Sequence, residues 1–217
     1  SGPRRGALAL NRSPFYAEKG GQVSDLGEIV GVSTDLHFVV EDVKEVLGRI
    51  IHIGRYASSK GVFGEYSTAA ISGPLGDYPD ATELDEGRRS AMVRAEVRID
   101  RRRATMQNHT ATHLLNWALR DQLGDGVQQK GSLVDPDRTR FDFSHNKPVT
   151  DDELGRIEEL VAGRIGDDLP VHTQEVEQER ARSINTLRAV FGEKYPDVVR
   201  VVSIGAEIDA MLGDPQN

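Results

Sequence analysis

Eight glycines fall between positions 20 and 64, at Gly20, Gly21, Gly27, Gly31, Gly48, Gly54, Gly61 and Gly64. Between them lie short apolar or β-branched runs, among them Glu28 to Val32, Leu36 to Val40 and Arg49 to Ile53, with Leu8 to Leu10 ahead of them. Glycine weakens helices and takes positive φ at little cost, so this punctuation predicts short strands joined by tight turns. A small, mostly antiparallel β-lobe from Ala7 to about Ile71 follows.

The pattern then changes. From Ser72 to Gly87 the chain is rich in Gly, Pro, Asp and Glu with no periodic apolar face, which reads as a linker. Alternating Val93, Ala95, Val97 and Ile99 predict a strand over 92–99. Asp100 to Leu123 predicts a long helix, because Ala111, Leu114, Leu115, Ala118 and Leu119 share one side at ~100° per residue, and Gly124 ends it. Val127 to Val134 and Thr139 to Phe143 read as a hairpin, the Asp135-Pro136-Asp137-Arg138 link suiting a type I turn. Thr150 and Glu153 form a capping box for a second helix with Leu154, Ile157, Leu160, Val161 and Ile165 on its apolar stripe. A strand over 171–176, a short charged helix over 177–186 and a buried strand over 198–204 complete the reading. The fold class is α+β, with a β-rich lobe and linker over residues 1–87 and an α+β core over 88–217.

Composition excludes several classes of function. With no cysteine, the 217-residue chain has no disulfide framework, and a zinc site built from it alone must use His, Asp, Glu or water. A net charge of -8 argues against a DNA-coating or bulk nucleic-acid-coating protein. A local basic patch can still meet RNA, and Arg94, Arg98, Arg101, Arg102 and Arg103 offer one, although a solvated face laced with salt bridges fits them equally. No run approaches the ~20 apolar residues of a membrane span, and a cytoplasmic location is expected.

His109 and His113 stand four residues apart on the long helix, so their imidazoles project one turn apart on one face. That face lies nearly opposite the apolar stripe, flanked by Met106 and Trp117. Spacing alone leaves two readings level, a shared divalent cation and a solvated surface pair. Thr110 excludes the zinc-protease motif, which needs Glu directly after the first His as general base. His145, His172, His37 and His52 carry less weight as ligands.

Several strings, in order, resemble one family: Ser13-Pro14-Phe15-Tyr16-Ala17-Glu18-Lys19-Gly20-Gly21-Gln22, Asn108 to Leu115, Gln128 to Val134, Arg140 to His145, and Phe191-Gly192-Glu193-Lys194-Tyr195 followed by Val199 to Val202. They are similar to the alanyl-tRNA synthetase editing domain, which is shared with free-standing AlaX-type deacylases and the second additional domain of threonyl-tRNA synthetases. The resemblance spans nearly the whole chain and implies a two-lobed α+β fold. It also implies zinc held by His109 and His113 with a cysteine and a histidine from a later segment, before which this chain is expected to stop. The implied reaction is hydrolysis of serine or glycine wrongly esterified to the acceptor end of alanine tRNA. The family's motifs put Thr112 and Gln129 at the substrate pocket as catalytic and substrate-binding residues, and the Gly20-Gly21 turn, whose glycines permit close approach, is expected to bring Gln22 to the pocket rim as a further substrate-binding residue. The expected partners are tRNA(Ala) and the rest of a synthetase, including its ATP-using part. A self-contained trans-editing deacylase and a catalytically silent tRNA-binding module stand as alternatives.

Overall fold

The computed structural model describes residues 3–57, 92–188 and 195–213. The linker expected over Ser72 to Gly87, the domain boundary placed at residue 87, Gly61, Gly64 and the Phe191 to Lys194 string lie outside those residues. The secondary structure is α+β with antiparallel sheets. The chain divides into two compact units, Ser1–His109 with Ser132–Arg140, and Thr110–Gly131 with Phe141–Asn217.

The first unit is built on a five-stranded sheet. Its strands are β1 (Arg5–Ala9), β2 (Gly27–Gly31), β3 (His37–Val46), β4 (Arg49–Tyr56) and β5 (Val93–Val97), ordered β1-β4-β3-β2-β5. Every pairing is antiparallel. β3 runs well past the Val40 expected from the sequence, because a bulge between Val40 and Asp42 resets its alternation. Phe38 and Val40 point inward before the bulge and Val43 after it, so a break in the period of two is what keeps all three in the core. With Phe15, Ala17, Ile29 and Tyr56 they form one cluster, and burying a side chain such as Phe38 stabilises by roughly 1.5–3 kcal/mol. β5, which the sequence groups with the residues after it, pairs with β2 from Gly27↔Val97 to Gly31↔Val93 and packs Val93, Ala95 and Val97 on this cluster.

Helix α1 (Ile99–Leu123) follows directly, and Gly124, at φ +92°, ends it. The division between the units falls within α1, and within the two-stranded sheet of β6 (Gln129–Val134) and β7 (Thr139–Phe143). In the second unit Ala118 and Leu119 of α1 join Val127 and Ile157 in a core that also takes in Leu115, Phe141, Phe143 and Leu160. Ile157 belongs to α2 (Asp151–Gly166), whose capping box is complete: Glu153 N–H donates to Thr150 Oγ1 at 3.3 Å and Thr150 N–H donates to Glu153 Oε2 at 2.9 Å.

A second small core lies between β8 (Val171–Glu177), β9 (Val198–Ile204), α3 (Gln178–Ala181) and α4 (Ile208–Gly213), centred on Val176, Ala181, Ile184, Val201 and Ile208. The charged helix expected to reach residue 186 stops at Ala181. Beyond it Ile184 N–H donates to Ala181 C=O and Leu187 N–H to Ile184 C=O, three-residue turns that let both apolar side chains reach the sheet.

Candidate functional site

The first unit presents Gln22, the residue after a glycine pair, to His109 of the helix. Lys19 and Gln22 face each other as an antiparallel bridge, and Gly20 and Gly21 between them have φ of +60° and +82°. Two consecutive positive φ values define the type I′ reversal that matches strand twist, and here glycine fills both places. Immediately afterwards the chain lies parallel to the end of β6: Val23 N–H donates to Val134 C=O at 3.0 Å and Val134 N–H to Gly21 C=O at 2.8 Å. The approach is so close that a Cβ on Gly21 would sit 2.2 Å from Ser132 Oγ and 2.7 Å from its carbonyl oxygen. Gly21 is therefore required twice, by its dihedral and by its neighbour.

This mount aims the Gln22 side chain inward, at 6% exposure, where Oε1 lies 2.6 Å from Nδ1 of His109. A carboxamide oxygen can only accept, so Nδ1 carries the proton and Nε2 the lone pair. Burial pushes the His109 imidazole below its ordinary value, favouring the neutral ring. A neutral imidazole with an oriented lone pair is the form that ligates a divalent metal.

Two further links hold this segment to α1. Buried Asp25 accepts from Tyr16 N–H at 2.6 Å and from Arg102 Nε at 3.1 Å, and Arg102 Nη2 also donates to Pro14 C=O at 2.5 Å. Asn108 Nδ2 donates to Asp135 C=O at 2.8 Å, and the Asp135 carboxylate caps its own turn by accepting from the N–H groups of Asp137 and Arg138. Sequence reasoning missed Asp25 altogether and grouped Arg102 with surface cations. An acid three residues past a buried glutamine was the one available sign.

In the second unit Thr112 is buried at 5%, His113 is exposed and Gln129 opens β6 half-buried. Along α1 the positions Thr105, His109, Thr112 and Asn116 recur at helical spacing on one side, and all are buried or half-buried. This polar stripe is invisible to a search for apolar periodicity. Trp117 carries the Arg164 guanidinium 5.2 Å above its ring, and Met106 is exposed.

The zinc implied by the resemblance meets suitable donors in part. Among the described residues no three of His, Cys, Asp and Glu gather around one point. The donors that fit are His109, with its proton fixed on Nδ1, and His113 one turn further along α1. Two other histidines are engaged elsewhere: His37 with Glu28 at 2.7 Å, and fully buried His52 with Ser13 Oγ at 2.7 Å and Leu8 C=O at 3.0 Å.

Residues 2–73 match the family described as class II (A) tRNA synthetases. Over 97% of its length the chain is 41% identical to an alanine–tRNA ligase of Candida albicans, covering 19% of that protein. It is likewise 41% identical over 97% of its length to a cytoplasmic alanine–tRNA ligase of Dictyostelium discoideum, covering 20% of it. To an alanine–tRNA ligase of Francisella philomiragia it is 43% identical over 91% of its length, again 20% of the relative. The chain thus spans about a fifth of the proteins it matches.

Proposed function

We propose that this chain, kin to alanine–tRNA ligases along nearly its whole length, is the portion of such an enzyme that hydrolyses mischarged alanine tRNA. The observation that carries this reading is the 2.6 Å bond from His109 to Gln22, which sets one imidazole in ligand form one helical turn before a second. His109 and His113 are the proposed metal ligands, and the proposed location is the cytoplasm, as named for the Dictyostelium relative. Bound there, zinc would supply Lewis acidity toward an ester carbonyl.

The rest of the chemistry falls to side chains of this chain. An ester linking serine or glycine to the terminal adenosine must be held while water attacks, and alanine must escape. Thr112 and Gln129 are the proposed groups that touch the bound amino acid. A site built to hydrogen-bond the serine hydroxyl rejects alanine far better than an apolar pocket does, because alanine leaves its polar groups unpaired. Thr112 suits that task, since its hydroxyl is already removed from bulk water.

The test is deacylation of serine-charged tRNA(Ala) by the zinc-supplemented protein. We expect His109→Ala and His113→Ala each to lower zinc uptake and to abolish turnover. Unchanged metal content in either variant removes the site assignment, and tRNA retention without turnover by the unaltered protein favours a binding module instead.

A further inference from the structure

We infer that Gln22 acts through His109 as a positioning residue, fixing which imidazole nitrogen is offered to the cation, and does not act on the substrate. The inference rests on the metal-site reading above. Three observations carry it. The Gln22 carboxamide is buried, and its oxygen is already committed to Nδ1 of His109. The backbone beneath it is held on both sides, by the Lys19–Gln22 bridge and by the bonds of Gly21 and Val23 to Val134. Gly21 approaches Ser132 so closely that no side chain fits between them, which seats this mount directly on β6.

The chemistry follows from what an amide is. Unlike a carboxylate it never ionises, so its oxygen is an acceptor at every working pH and demands a proton on Nδ1. Without that acceptor the neutral ring exchanges between two tautomers, and the form protonated on Nε2 cannot ligate through that atom. Hydrogen-bond partners of this kind typically change metal affinity by 10–100-fold when removed.

The experiment compares the unaltered chain with Gln22→Met, which keeps length and apolar volume but lacks the acceptor, and Gln22→Glu, which restores one. Long-range nitrogen–proton NMR of the metal-free chain reads the His109 tautomer, and competition with a chromophoric chelator reads affinity for Zn2+. We expect the Nδ1–H form in the unaltered chain, its loss in Gln22→Met with about a tenfold weaker Zn2+ affinity, and its return in Gln22→Glu. At saturating Zn2+ the KM of Gln22→Met for charged tRNA should stay unchanged. An unaltered tautomer and Zn2+ affinity in Gln22→Met, with a raised KM, overturns the inference and makes Gln22 a substrate contact. If His109→Ala leaves zinc uptake intact, the metal-site reading falls, and the NMR result alone then decides whether Gln22 sets the tautomer.

Discussion

Two reversals in the first unit share one backbone geometry and put it to different use. Between β3 and β4 the chain turns through Leu47 and Gly48, at φ +50° and +75°, and between Lys19 and Gln22 it turns through Gly20 and Gly21. The first juts into solvent: Leu47 is 89% exposed and a Cβ on Gly48 would touch nothing within 4 Å. The second is pressed against Ser132 and delivers Gln22 to His109. A turn that merely reverses the chain tolerates leucine in a left-handed conformation, whereas the one pressed against a neighbouring strand uses glycine throughout.

Substitutions can break this contrast. The largest effect is expected for Gly21→Ala, which adds a backbone clash to dihedral strain and should cost roughly 3 kcal/mol in urea unfolding. Gly48→Ala meets dihedral strain alone and should cost about 1–2 kcal/mol. Equal losses in the two variants would erase the distinction. A smaller effect separates the turns by pH. Ser13, at the head of the segment leading to the second turn, is bonded to Nε2 of His52, and desolvation holds the His52 pKa below its ordinary 6.5. The unfolded chain therefore takes up this proton first as pH falls, so stability is full above 6.5 and declines below it. Equilibrium unfolding between pH 7.5 and 5 should show that decline, and His52→Gln should flatten it. Smallest of all, Leu47→Asn should raise stability by up to about 1 kcal/mol, since asparagine tolerates positive φ better than leucine.

Features encoded by neighbours in the chain were legible from the residues. The glycine pair, the Thr150–Glu153 cap, the Gly124 stop and the apolar stripe of α1 each depend on groups a few positions apart. What escaped was set by distant partners. The bulge in β3 appears only when its alternation must match β4, and β5 finds its place only beside β2. α3 yields early because Ile184 and Leu187 have an apolar sheet to reach. At the candidate site the histidine pair was visible as spacing, but the bond from Gln22 to His109 crosses 87 positions, and the Asp25–Arg102 pair crosses 77. Thr105 and Asn116 were hidden for another reason, since polar side chains buried on a helix leave no mark in a hydrophobic pattern.

The ion pair that ties Asp25 to α1 also reshapes the arginine cluster around it. Arg102 spends its guanidinium on an interior carboxylate and a backbone carbonyl, and Arg94 is paired with Glu96. A cation already neutralised by its own protein displaces few condensed counterions from a nucleic-acid backbone. Were RNA to meet this stretch, the ionic-strength dependence would therefore be carried by Arg98, Arg101 and Arg103, and a count of its basic letters overstates its electrostatic reach.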